Sequence, residues 1–355
     1  MSVEFPKATD RWILEAGPHT GVVVSSRARL ARNVSSLPFA LRANQEQRQF
    51  VADRISQALQ DTAAIARYQI LNMSEMTDAE RCLLRESHLI SNEFEKGGTG
   101  RQVYLSPEMD ASIMVNEEDH LRFSILRSGY RMWEVLEQMT EVEAAIEQKL
   151  DFAFSEEFGY LTACPTNTGT GLRLSVMLHL PALVMTGQIE HALEELNTFG
   201  VVVRGSYGEH SETMGDLFQI SNEVTLGKSE TQLLELLDHL VTQIIEQERQ
   251  ARQLLMNEAF QKIEDAVFRA LGVLKMARQM DSKEAVQLLS RLRLGIEGGW
   301  DMPVTHEQLN RLFVDIQPAH LQHFQKAEAN ANARDIARAS LLRATFRNGS
   351  DATRN

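Results

Sequence analysis

The sequence predicts an α+β catalytic domain followed by an all-α domain, and three observations support this. Up to about residue 228, short β-branched runs bounded by glycine-rich turns alternate with helical patterns. From Ser229 the strand signals almost vanish. Leucine and isoleucine then recur at helical spacing, beginning with SETQLLELLDHLVTQIIEQERQARQLL. At 355 residues the chain has room for two domains, expected at 22–245 and 246–355.

In chain order, GVVVSSRARL, RQVYLS, SIMVN, HLRFSIL, GYLTAC and FGVVVRG read as strands or strand ends. Helical patterns fill 44–62 after Asn44, 131–149, where Trp133, Leu136, Met139 and Val142 form one stripe, and 187–197. In the second domain Ser229 and Gln232 stand at capping-box spacing, as do Thr305 and Gln308. Helices are expected at 256–280, 282–295 after Asp281, and 306–316, and the last residues (NGSDATRN) are expected to be disordered.

The formal net charge of −13 argues against a general nucleic-acid binder, which should carry a basic footprint. Yet 28 of the 36 basic residues are arginine, the side chain suited to bidentate phosphate or carboxylate recognition. Cys82 and Cys164 are too few for a disulfide scaffold. The N-terminus lacks the pattern of a signal peptide, and the apolar run 176–185 is broken by His179 and Pro181 and too short to span a bilayer. A reduced, cytoplasmic protein with no membrane partner is expected.

The glycine-rich phosphate loops are missing: there is no G-x-x-x-x-G-K-[ST], and Gly169-Thr170-Gly171 is not continued to G-x-G-x-x-G. Five arginines lie at strand ends or glycine turns: Arg27 and Arg29, Arg122, Arg173, and Arg204. Together they could neutralise a triphosphate, although each taken singly reads rather as half of a surface ion pair. Glu117, Glu118 and Asp119 form a carboxylate cluster that is either a solvated turn or a cradle for a cation. Glu209, flanked by Gly205 and Gly208, could add a carboxylate from a mobile loop. Cys164 is either a guanidinium-stabilised thiolate or a small buried residue, and His88 either stacks on a base or sits in the core.

Taken together, SSRARLARN, NEEDHLR, CPTNTGTGLR and RGSYGEHSE resemble the phosphagen kinase family over roughly residues 22–245. The resemblance implies an antiparallel sheet flanked by helices and direct in-line transfer from ATP with Mg2+. By the resemblance ATP is held at Ser25, Ser26, Arg27, Ala28 and Arg29; at His88 and Arg122; at Arg173, Leu174, Ser175, Val176 and Met177; and at Arg204, Gly205, Ser206, Tyr207, Gly208 and Glu209. It makes Glu118 the catalytic glutamate, supported by Glu117 and by Asp119, the latter through metal-bound water. Glu209 becomes the lid glutamate and Cys164 the reactive cysteine. The family often has histidine where this chain has Met177.

Two departures point to the bacterial protein arginine kinase branch. SSRARLAR begins at Ser25, without the preceding helical domain of small-guanidine kinases, and a helical domain follows the core. Arg334, Asp335, Ile336, Ala337, Arg338 and Ala339 match that branch's RDxxRA phosphoarginine-binding motif. The branch implies protein substrates with exposed arginines, an activator protein, a Clp-type AAA+ protease and a homodimer regulated by phosphoarginine. The rival readings are a free-arginine phosphagen kinase and a non-catalytic phosphoarginine-binding adaptor.

Overall fold

A computed structural model describes residues 11–205 and 214–352. Its centre is an eight-stranded antiparallel sheet. In chain order the strands are β1 (Val23–Arg32), β2 (Gln69–Asn72), β3 (Gln102–Leu105), β4 (Ala111–Val115), β5 (Leu121–Ser128), β6 (Phe154–Ser155), β7 (Gly159–Tyr160), β8 (Leu172–His179), β9 (Val201–Gly205) and β10 (Leu217–Asn222). The spatial order is β2-β3-β4-β5-β1-β8-β10-β9, and β6 with β7 forms a separate hairpin. One face is apolar. Ala28, Leu30, Phe123, Ile125, Leu174, Val176 and Ile220 share a buried cluster with residues of the helices Gln45–Gln60, Met132–Glu147 and Glu230–Glu258. Removing that face from water sets the register, because a one-residue slip would turn every side chain over.

The helices start where capping chemistry directs them. Asn44 with Gln47, Ser229 with Gln232, and Thr305 with Gln308 each close a reciprocal capping box. Two central strands, β8 and β10, were not among the strands expected from sequence. The expected GYLTAC strand shrinks to Gly159–Tyr160. The helix Ala331–Ala352 runs through 348–352 of the tail expected to be disordered, and 353–355 lie outside the described residues.

The helix Glu230–Glu258 passes unbroken through the expected boundary at 245/246. Its residues from Leu234 to Ala251 belong to the sheet's core, and a second core begins at Ile263. A buried polar network joins the two bodies. Glu248, fully buried, accepts from the backbone N–H groups of Ala182 (3.1 Å) and Leu183 (3.0 Å) and from Arg252 Nε (2.6 Å). Arg252 also donates to the carbonyls of Gly21 and His179, both at 3.2 Å, and reaches Glu297 at 3.3 Å. Arg293 donates to the Thr20 carbonyl, and His179 Nε2 lies 2.8 Å from the Ser290 hydroxyl.

On the sheet's other side, Glu86 accepts from the backbone N–H groups of Ala319 (3.0 Å) and His320 (3.1 Å). This ties the segment before His88 to the helix Pro318–Phe324.

Breaking the central pair tests the docking. Glu248→Ala leaves the buried Arg252 guanidinium with only its longer contact to Glu297, and loss of one partner of a buried pair costs about 3–5 kcal/mol. Urea unfolding should show a loss of that size; a loss under about 1 kcal/mol would show that Arg252 finds water and that the network is not a clamp.

Candidate active site

The antiparallel register gathers all five arginines on the sheet face opposite the apolar core. Directly opposed residues point the same way. Arg29 faces Arg173 on β8 and Ser124 on β5, and Arg122 lies two residues before Ser124. Arg27 faces Ser175, which faces Ser221 on β10; Gln219, two residues earlier, faces Arg204 on β9. Ser25, Met177 and Gln219 continue the same face. The period of two corrects part of the expected nucleotide set. Ser26, Ala28, Leu174 and Val176 point into the core with no exposure, and the Ser26 hydroxyl donates to the Gly129 carbonyl (2.9 Å). Gly205 ends β9, while Ser206, Tyr207, Gly208 and Glu209 lie outside the described residues.

These guanidinium groups repel one another. Arg29 is driven well below the ordinary arginine range, first by burial and then by the charges of Arg27, Arg122, Arg173 and Arg204. Arg27 is lowered to about 10 by burial and by Arg122. Neutral acceptors occupy part of the cluster: Arg27 donates to Ser124 Oγ and the His88 carbonyl, both at 2.9 Å, and Arg173 donates to Ser221 Oγ at 3.0 Å. Arg29 Nε is buried with no hydrogen-bond partner. Concentrated, partly unsatisfied positive charge of this kind fits a polyanion.

Carboxylates sit at one edge of the cluster, in the turn between β4 and β5. Asn116 takes a left-handed conformation (φ 58°), and its amide donates to the Arg48 and Gly100 carbonyls, both at 2.8 Å. Both Glu117 carboxylate oxygens accept from Arg122 Nη1, at 2.7 and 2.9 Å. Burial alone would raise the Glu117 pKa, but Arg122 and the Ser91 hydroxyl hold it below the ordinary glutamate range. Asp119 is 1% exposed, and its Oδ1 accepts from Asn33 Nδ2 and the Ala163 N–H, both at 2.6 Å, which anchors the loop before Cys164. Glu118 is half-buried. Its carboxylate has no hydrogen-bond or ion-pair partner among the described residues, and burial, then Asp119 and Glu117, raise its pKa.

The glycine loop holds β8 in register. At Gly169 (φ 114°) a Cβ would come within 2.4 Å of the Thr225 carbonyl oxygen, and at Gly171 (φ 65°) within 2.6 Å of that of Ala31. Cys164 is half-buried, with Sγ 3.0 Å from Thr166 Oγ1.

Beside the arginines lies a cavity of about 480 Å³, lined on the sheet side by Ser25, Arg27, Arg29, His88, Glu117 and Met177. His88 (φ 61°) is an exposed residue that lines this cavity, and desolvation by the surrounding cleft, with Arg27 close by, lowers its pKa to about 4. The far wall was not foreseen. It comes from the second domain, as Asn310, Phe313, Val314 and Gln317. The Thr305 cap signalled the helix His306–Asp315, but no local pattern could reveal what that helix faces.

The RDxxRA segment lies on the helix Ala331–Ala352. Arg334 and Asp335 are half-buried, Ala337 is half-buried and Ile336 is 47% exposed, while Arg338 and Ala339 are each 1% exposed. Arg338 donates through Nε to the Ile316 carbonyl (2.9 Å), and through Nη1 to Met280 (2.9 Å) and Asp335 Oδ1 (2.6 Å). The two arginines of the RDxxRA motif thus have different surroundings. Arg338 is turned inward and fixes Asp335, which leaves Arg334 as the guanidinium on the surface side.

Comparison with known proteins places this arrangement. Residues 50–251 match a family model described as "ATP:guanido phosphotransferase, C-terminal catalytic domain", and residues 260–355 match "Protein-arginine kinase McsB C-terminal domain". The chain is 44% identical over 337 residues to the protein-arginine kinase of Halothermothrix orenii, covering 95% of this chain and 96% of that one. It is 42% identical over 347 residues to that of a Geobacillus species, strain WCH70, covering 97% and 96%. A crystal structure of lombricine kinase superposes with a TM-score of 0.59 at 25% identity, over 69% of this chain and 70% of that one. The substrate-free duplicated taurocyamine kinase of Schistosoma mansoni gives 0.56 at 27% identity, over 66% of this chain and 35% of that duplicated one.

The repulsion among the arginines can be measured. Inorganic tripolyphosphate should raise the thermal midpoint, with stabilisation near 2.7 kcal/mol at a concentration about a hundred times its Kd. Arg29→Gln should unfold no earlier than the parent without ligand, because it removes a repelled charge, and should lose most of the tripolyphosphate shift. An undiminished shift in the variant would place the anion elsewhere.

Proposed function

This chain belongs to the ATP:guanido phosphotransferase family, in its protein-arginine kinase branch, and we propose that its arginine-lined sheet face moves the γ-phosphoryl of MgATP onto arginine side chains of other proteins. The observation that carries this reading is the juxtaposition of five converging guanidinium groups with an unpartnered, half-buried Glu118 at their edge.

In this mechanism Arg27, Arg29, Arg122, Arg173 and Arg204 hold the triphosphate and offset charge on the equatorial oxygens of a loose transition state. The acceptor guanidinium nitrogen attacks the γ-phosphorus, the bond to the bridging oxygen breaks, and its electron pair leaves with ADP. Glu118 orients that nitrogen and takes its proton. Glu117 stays ionised against Arg122 and holds the acidic turn in place. Mg2+ brought by the nucleotide would neutralise phosphate charge, and Asp119, whose Oδ1 is tied to Asn33 and Ala163, would hold it through water. Cys164 borders the acceptor group, and Glu209 supplies the second carboxylate. Both roles are assigned by resemblance.

The finer regulatory reading is also ours. Arg334 and Asp335 bind phosphoarginine, with Asp335 positioned by Arg338, and phosphoarginine bound there shifts the enzyme toward an active arrangement. Marked proteins pass to a Clp-type AAA+ protease, and an activator protein and a homodimer complete the system. The exposed Leu254, Phe268, Val273 and Met276 on the helices Glu230–Glu258 and Phe260–Met276 support self-association. Dependence on ATP supports a cytoplasmic setting. Among the described residues no helix is long and apolar enough to cross a membrane.

The purified protein incubated with ATP and casein should place acid-labile phosphate on arginine, read by mass spectrometry; its absence would refute the activity. Glu118→Gln should abolish transfer while ATP affinity stays within a few-fold. The sign of the pH effect follows from the raised Glu118 carboxyl. The base form is present above its folded pKa and is lost as pH falls through it. The acid limb of kcat/KM should therefore lie above that of an ordinary glutamate and should not reappear in any residual activity of Glu118→Gln.

The regulatory site has a separate test. Arg334→Ala combined with Asp335→Ala in the full chain should leave ATP binding intact and weaken phosphoarginine binding by calorimetry. Unchanged phosphoarginine binding would remove these residues from the regulatory role.

A further inference from the structure

The cavity beside the arginines has one wall that the phosphates cannot use. Trp12, on the helix Arg11–Leu14, and Asn310, on the helix His306–Asp315, both line it, 4% and 2% exposed respectively. Each carries a buried N–H with no hydrogen-bond partner, Trp12 Nε1 and Asn310 Nδ2. The orientation of the Asn310 amide is settled chemically. Arg293 Nη1 donates to its oxygen at 2.7 Å, and a guanidinium can only donate, so the NH2 group is the one left over. Burying a donor without an acceptor costs about 1–3 kcal/mol, so two on one cavity wall call for an occupant with acceptors.

The surroundings fit a planar aromatic ligand. The Trp12 and His88 rings meet edge to face with centroids 5.6 Å apart. Trp12, Ile13, Leu126 and Val314 form a small apolar core that fixes the wall. Arg27 and Arg29 line the same cavity on its sheet side.

We propose that this wall is the nucleobase subsite, in which Trp12 Nε1–H and Asn310 Nδ2–H donate to ring nitrogens of adenine. The C-terminal helical domain is then part of the ATP site, and ATP bridges the two bodies. This rests on the reading of the arginine face as the triphosphate site, and it adds the base-binding residues. Purine ring nitrogens are acceptors, so both donors gain partners on binding.

The test separates the base from the phosphates. Trp12→Phe keeps a ring and removes the N–H; Asn310→Asp keeps the oxygen for Arg293 and replaces the donor with an acceptor. Each variant should weaken ATP binding by about three- to tenfold, the net worth of one neutral hydrogen bond, and Asn310→Asp at least as much because an anion faces the base. Tripolyphosphate affinity should stay within twofold of the parent. Adenine analogues with one ring nitrogen replaced by C–H complete the cycle: a replacement that costs the parent affinity should cost the matching variant nothing further.

Thermal midpoints without ligand accompany each measurement, and Trp12→Phe decides the case should Asn310→Asp not fold. Unchanged ATP affinity in both variants would overturn the proposal, as would equal losses for ATP and tripolyphosphate. If Arg29→Gln leaves tripolyphosphate binding intact, the phosphate reading fails instead, which is a different result.

Discussion

Everything at the site depends on holding five like charges on one face of a sheet. An antiparallel ladder can do this because opposed residues share a face, so Arg29 and Arg173 are neighbours whether or not their charges agree. The restraint comes from the reverse side, where Ala28, Leu174 and Val176 are wholly buried. Slipping one residue to separate the charges would drive arginines into the core. The resting protein therefore holds electrostatic repulsion against hydrophobic burial, and a bound polyanion would relieve it. Arg122 is neutralised by Glu117 beside it, while Arg27 and Arg29 meet their neighbours' positive charge.

The acidic turn uses the opposite arrangement. Glu117 is neutralised and Asp119 is tied to Asn33 and Ala163, so these two act as scaffold, and Glu118 between them is left uncommitted. Three adjacent carboxylates that would read as one solvated run have three different environments. A turn can sort neighbours in this way, since its consecutive side chains leave in different directions.

The sequence carried the outline well where local physics suffices. The helix start after Asn44, the capping boxes at Ser229 and Thr305, and the β-branched runs for β1, β3, β4, β5 and β9 lie where expected. It failed where the deciding contact is distant. β8, LRLSVMLH, follows a glycine loop and has few β-branched residues, and it is a strand because β1 and β10 flank it. A motif written as a continuous run also hid the alternation that sends Ser26 and Leu174 to the core. The RDxxRA motif did not reveal that Arg338 is held inward by the Ile316 and Met280 carbonyls. No pattern within 306–315 foretold that this helix closes the cleft.

The unbroken helix Glu230–Glu258 has a consequence for how the molecule comes apart. Its N-terminal portion belongs to one core, Leu255 packs against both, and the second core starts only a few residues past its end. The two family models meet in this same stretch, one ending at 251 and the other beginning at 260. The boundary between the two family models thus falls at the end of one continuous helix, so separating the parts there would cut a helix that already carries contacts of both cores.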